Sequence, residues 1–221
     1  MKRVLVFGLG ISGRAVVEFY KNKNVELAAD IMFVNNIPFL LTISRGLRFG
    51  TVEVLQNRQL DTVATVLKSI DRLYRRRGFR VTAIHADPEF AELQPLIPAI
   101  NTCSQDDHVP DAERFIRTVK DRARSTYRML PFSYVPRVIL VHLIKACVFW
   151  INAFPAVNGA SPQLSPRFLL TGWEIDFHRH VRLEFGSYVQ AHEDHDNSMA
   201  ERTTGAICLG PDGSKTGGHY S

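Results

Sequence analysis

Glu113 stands at the head of a row of cations. Arg117, Lys120 and Arg124 follow it at i+4, i+7 and i+11, the spacing that keeps side chains on one side of an α-helix. Ala112, Ile116, Val119 and Ala123 repeat that spacing one residue earlier and make an apolar face beside it. Pro110 and Asp111 suit a first helical turn, where a missing N–H does no harm and a carboxylate meets the positive end of the helix dipole. Such a helix can hold a carboxylate over a hard divalent cation while its own cations lie along a phosphate backbone. The same pattern also fits an ordinary amphipathic helix with a solvated face. Two further acids have comparable settings. Asp30 lies inside the apolar run 25–35, where a carboxylate is costly unless it binds a charge. Asp87 closes the run 79–86 just before Pro88, a place that equally suits a turn residue.

The elements that would position these acids can be read in order. The run 25–35 is a strand, Asn35-Asn36 a turn signal, 37–44 a second strand, Arg45-Gly46 another turn, and 49–55 a third strand. Short connections make these neighbours antiparallel. A helix follows over 60–76, with Val63, Val66, Leu67, Ile70 and Leu73 on one side, and Arg75-Arg76-Arg77-Gly78 suits its C-terminus. Residues 79–86 form a fourth strand, 99–103 a short fifth, and the Glu113 helix comes next. The apolar run 138–151 contains His142 and Lys145 and is too short to span a bilayer, so it is expected to be a buried helix. Trp150 and Trp173 are expected in the core. The polar stretches Asp106-Asp107-His108 and His192-Glu193-Asp194-His195-Asp196 are expected to be loops.

Residues 1–30 carry a separate signal. Lys2 to Phe7 reads as a strand, and Gly8-Leu9-Gly10-Ile11-Ser12-Gly13 matches GxGxxG, with a helix to follow and Asp30 closing a later apolar run. In a Rossmann unit those glycines let the backbone approach a phosphate and the acid binds a ribose. The segment is similar to the N-terminus of the UDP-N-acetylmuramoyl amino-acid ligases, the D-glutamate-adding enzyme in particular. The βαβ units of a doubly wound domain do not continue after it. Lys2-Arg3 ahead of an apolar stretch also imitates a secretory leader, but the glycines and the charged segment that follow argue against one.

Composition sets wider bounds. The chain has 221 residues, 45% of them hydrophobic, enough for a real core. Its net charge is +5, and between Arg114 and Arg128 six Lys or Arg face one acid, Asp121. This suits a polyanionic partner. Three scattered cysteines, Cys103, Cys147 and Cys208, give no zinc spacing and fit a reducing compartment.

Three strands, helix, strand, helix, strand and helix is the ribonuclease H-like order. From about Val25 to its end the chain resembles the integrase core of retrotransposons, the copia-type group most closely. The segment Leu27-Ala28-Ala29-Asp30-Ile31-Met32 is similar to the family's first-acid strand. Ile84-His85-Ala86-Asp87-Pro88-Glu89-Phe90 is similar to its second-acid motif. Ala112-Glu113-Arg114-Phe115-Ile116-Arg117-Thr118 is similar to its third-acid helix. Phe149-Trp150-Ile151-Asn152, the element from Ser165 to Gly172, and the stretches Phe185 to Val189 and Gly205 to Gly210 resemble its later helix and closing β module. The resemblance implies an α/β fold: a mixed five-stranded sheet flanked by helices, with a small C-terminal β module. It implies an extension at 1–22, a core at 23–160 and the β module at 161–221.

It further implies polynucleotidyl transfer, with Asp30 and Asp87 sharing one Mg²⁺ or Mn²⁺ and Glu113 completing the set. Arg114, Arg117, Lys120 and Arg124 would touch phosphates, and Glu89 would be a structural acid. The implied partners are DNA, both retroelement ends and target, and further copies of the chain, with no membrane. The implied location is intracellular, in the nucleus or a cytoplasmic retroelement particle. The chain departs from the family in its short 88–112 segment, whose loop 106–110 is acidic and lacks glycine. Two other readings therefore stand beside the first. One is a catalytically inactive nucleic-acid-binding or multimerising module. The other is a nucleotide-binding, ligase-like fragment acting through Gly8, Gly10 and Gly13.

Overall fold

The computed structural model describes residues 23–102, 109–192, 198–199, 201–214 and 216–221. The glycine motif with Gly8, Gly10 and Gly13, the 1–22 extension, and residues 103–108 and 193–197, where the sequence predicts loops, lie outside the described residues. The chain divides into two compact units, one of residues 1–118 with 151–172, the other of 119–150 with 173–221.

In the first unit, β1 (Asn24–Val34) and β2 (Ile37–Ser44) form a hairpin. Its two-residue turn is Asn35-Asn36, with φ of 46° and 62°. Both central residues of a type I′ turn need positive φ, and asparagine tolerates it better than any side chain but glycine. β3 (Gly50–Val54) pairs antiparallel with β2. Helix α1 (Leu60–Arg76) then crosses one face of the sheet and returns the chain to β4 (Arg80–Ala86), parallel to β1. A 3₁₀ turn (Pro88–Leu93) leads to β5 (Ile100–Thr102), parallel to β4. The strand order is β3-β2-β1-β4-β5. Three antiparallel strands continued by two parallel ones, with a helical crossover between β3 and β4, is the ribonuclease H-like arrangement expected from the sequence.

The main core lies between the sheet and α1. Val25, Leu27 and Ala29 of β1 point into it, so Glu26, Ala28 and Asp30 point to the other face, because strand side chains alternate. The buried stripe of α1 is Val63, Ala64, Leu67, Ile70 and Tyr74. It is shifted from the expected stripe: Val66 and Leu73 are only partly buried. Tyr74 is drawn fully inside because its hydroxyl donates to the Phe49 carbonyl at 3.4 Å.

Helix α2 (Pro110–Met129) covers the second face at its N-terminal end. Its buried positions are Ala112, Phe115, Val119 and Ala123, with Ile116 half-buried, which corrects the expected stripe. Phe115 packs on Gly50 so closely that any Cβ there would collide with its ring. Helix α3 (Arg137–Ala153) is the expected apolar helix. Its Asn152 is buried and clamps Gly50, accepting from the Gly50 N–H at 2.8 Å and donating to the Gly50 carbonyl at 2.7 Å. Short α4 (Pro166–Thr171) is capped by Ser165, whose hydroxyl accepts from the Phe168 N–H.

The second unit contains the rest of α2 and most of α3, short α5 (Phe177–His180), and the antiparallel pair β6 (Tyr188–His192) and β7 (Thr203–Ile207), the small β module. Buried His180 places Nδ1 at 2.9 Å from the Asp176 carbonyl and Nε2 at 3.0 Å from the Ser214 carbonyl, and its ring stacks on Phe149. Trp150 is half-buried and Trp173 lies at the surface. Cys147 and Cys208 are buried free thiols, and burial pushes the Cys147 thiol up to about 11. Among the described residues, no helix is long and apolar enough to cross a membrane.

Candidate active site

β1 and β4 run side by side with Ala28 opposite His85 and Ala29 opposite Ala86. One residue further on, Asp30 and Asp87 come level. Level residues on neighbouring strands have their backbones about 4.8 Å apart, and their side chains leave the same face. The strands thus bring the first two acids together. β4 ends at Ala86, and Asp87 holds an extended backbone at the head of the 3₁₀ turn without using its carboxylate as a cap. That carboxylate is left to the face it shares with Asp30.

Asp30 is half-buried and accepts a 2.6 Å hydrogen bond from the Ile31 N–H. Its carboxyl is pushed up from 3.8 to about 6, chiefly by burial. The Ile31 hydrogen bond opposes the rise, and the charges of Asp87, Glu89 and Glu113, in that order, add to it. Asp30 therefore lies within electrostatic reach of the other two sequence-predicted acids, Asp87 and Glu113, and of Glu89. The sequence reading kept Glu89 outside the ligand set. Its position two residues after Asp87, in a turn opened by Pro88, was the available signal.

Helix α2 is pinned over this face by its first turn. Asp111 accepts from Arg48 at 2.7 Å and pairs with Arg45 at 3.4 Å. The Arg48 hydrogen bond, followed by the charges of Arg48, Arg45 and Arg114, holds the Asp111 carboxyl below the usual carboxylate range. Arg45 also pairs with Glu26 at 3.5 Å, and Glu26 meets His85 at 3.1 Å. A chain of polar contacts thus runs from β4 through β1 and the β2–β3 turn to the first turn of α2, which carries Glu113.

The predicted phosphate contacts are distributed along α2. Arg114 and Arg117 are exposed. Lys120 is half-buried, and exposed Arg124 pairs with Asp121 at 2.8 Å. Sequence reasoning missed Arg58, which donates to Glu89 at 2.7 Å and sits 5.5 Å above the Phe33 ring centre.

Among the described residues, no three acidic, histidine or cysteine groups stand close enough to hold a metal ion jointly. The donor chemistry nonetheless fits Mg²⁺ or Mn²⁺. Asp30, Asp87, Glu89 and Glu113 supply hard carboxylate oxygens, and the Asp30 carboxyl is kept from ionising readily by burial and by its neighbours' charge. A bound divalent cation would relieve that repulsion. Asp30, Asp87 and Glu113 are the residues that would hold it, with Glu89 beside them.

No protein-family model matches the chain, and no curated protein matches it either. Among solved structures, the catalytic core domain of BIV integrase is similar at 14% identity and a TM-score of 0.46, over 66% of this chain and 93% of that one. The HTLV-2 integrase catalytic core domain, in its trimeric form with magnesium, is similar at 13% identity and a TM-score of 0.46, over 66% and 95%. The fold assignment rests on the strand order and register described above.

Proposed function

We propose that the chain is an integrase-like polynucleotidyl transferase of the retrotransposon, copia-related kind. The observation that carries this reading is the meeting of Asp30 and Asp87 on one face, with Glu113 near enough to disfavour Asp30's charge. Phosphodiester transfer joins an attacking oxygen to phosphorus as the bond to the leaving oxygen breaks, so charge must be neutralised on both. Bound Mg²⁺ or Mn²⁺ supplies that neutralisation. In this chain Asp30, Asp87 and Glu113 are the residues that would hold the ions. Arg114 and Arg117 bind phosphates and set register without reading sequence. The attacking group is water in end trimming and a DNA 3′-hydroxyl in strand transfer. The same reading carries a multimeric assembly on retroelement ends and target DNA, and a nuclear or particle location.

Calorimetry with Mn²⁺ tests it directly. Wild type is expected to bind the ion, and Asp87→Asn to lose the binding. No heat from either protein, with the fold intact, would remove the catalytic reading. A second reading, a nucleic-acid-binding module without chemistry, is favoured by the described acids standing apart rather than as a closed metal cluster. It is separated from the first by a Mn²⁺-dependent cleavage or joining assay on DNA ends.

A further inference from the structure

Arg58 occupies a fixed place on an exposed rim. The loop that carries it is anchored on one side by buried Leu55, whose N–H donates to the Pro38 carbonyl at 2.9 Å. On the other side the Asn57 side chain accepts from the Gln59 N–H at 3.0 Å and the Thr62 hydroxyl at 2.7 Å. Between these anchors the guanidinium reaches Glu89 at 2.7 Å and lies 5.5 Å above the ring of Phe33, itself 45% exposed. The pair is open to water, with side chains 54% and 44% exposed. An open pair of this kind is held weakly. Arg45 and Arg48 contrast with it, since Asp111 holds both.

The electrostatics give the pair a use. The side chains whose charge bears on Asp30 are all acids, Asp87, Glu89 and Glu113. A phosphodiester approaching them is repelled unless a cation comes with it. Arg58 is already tied to one of these acids, and a guanidinium binds a phosphate with the same forked geometry it uses on a carboxylate. We infer that Arg58 is a phosphate-binding residue. Parked on Glu89 and the Phe33 ring, it exchanges the Glu89 carboxylate for a backbone phosphate of bound DNA. This rests on the nucleic-acid reading above and adds to it a contact from outside α2.

The test uses the full chain and a fluorescein-labelled DNA duplex, with anisotropy titrations across a range of KCl. Each phosphate contact contributes about 0.9 to the slope of log K against log salt. Arg58→Ala is expected to lower that slope by roughly one and to weaken binding by roughly fivefold. Arg58→Lys, which keeps the charge, should retain the slope. Glu89→Gln, which frees the guanidinium, should tighten binding with the slope unchanged. The inference is overturned if Arg58→Ala binds as wild type does while Arg117→Ala weakens, because the nucleic-acid reading then stands without Arg58. It is also overturned if Arg58→Ala weakens binding with the salt slope unchanged, since a lost phosphate contact would then not be responsible. Wild type that shows no salt-dependent binding removes both the inference and the reading beneath it.

Discussion

Two aspartates in this chain pull stability in opposite directions with pH. Asp30 has its carboxyl raised from 3.8 to about 6, first by burial and then by neighbouring acids. The folded state thus holds that proton more tightly than the unfolded chain. The resulting stabilisation is fully present below about pH 4 and is lost as pH rises through about 6. A rise of this size corresponds to at most about 3 kcal/mol, and solvent screening at a half-buried site leaves roughly 1 kcal/mol. Asp111 is held low by Arg48, so its contribution is present above about pH 4 and is lost as the pH falls below its depressed value. Without divalent cations, Asp30→Asn is expected to be more stable than wild type near pH 7 and no more stable near pH 4. Urea midpoints at the two pH values check this. With Mn²⁺ present near pH 7 the order should reverse, because ion binding then rewards an ionised Asp30. Gly50 makes a second residue-scale case. Gly50→Ala drives a methyl into the Phe115 ring, and overpacking of this kind is expected to remove about 1–3 kcal/mol. Thermal melts should show Phe115→Leu recovering part of that loss.

At the scale of elements, β3 and α3 are joined through one side chain. Asn152 satisfies both the N–H and the carbonyl of Gly50 while buried. Asn152→Ala leaves both backbone groups orphaned at about 1–3 kcal/mol each, so denaturant unfolding should show a loss larger than for Thr171→Ala on α4. The same contacts explain which parts of the fold could be read in the sequence. The hairpins were legible because Asn35-Asn36 is local turn chemistry, and α1 because its periodicity and Gly78 are local too. In the buried stripe of α2 one position differs from the sequence reading, Phe115 taking the place of Ile116. Phe115 is buried because Gly50, distant in sequence, leaves a gap on the sheet that only a ring fills. Tyr74 was missed for the same kind of reason, since its partner is the carbonyl of Phe49. The three acids were legible as residue types, Asp30 inside a strand, Asp87 just after one and Glu113 in a first helical turn. Their company was not: Glu89 bears on Asp30 from the 3₁₀ turn, and Arg58 reaches Glu89 from a loop pinned by Asn57.

For the whole molecule, the question is whether binding and chemistry can be separated. The chain carries +5 net charge, with its cations concentrated on α2, while the acids gather at one end of the β1–β4 pair. On the proposed function, long-range attraction to a polyanion would depend on the first feature and bond-making on the second. Removing acids therefore affects the two functions in opposite senses. Asp87→Asn with Glu113→Gln takes away two negative charges near the phosphate path, so the double variant should bind DNA at least as tightly as wild type, with the same salt slope. Its Mn²⁺-dependent cleavage should fall to background. Carboxylates that act as one set lose their function together, so Asp87→Asn alone is expected to be about as damaging as the double change. Parallel binding and cleavage titrations on one labelled DNA end measure both. Binding that weakens along with cleavage would mean that the acids hold the structure of this face rather than perform chemistry on it. Cleavage that survives in the double variant would move the reaction to residues other than these.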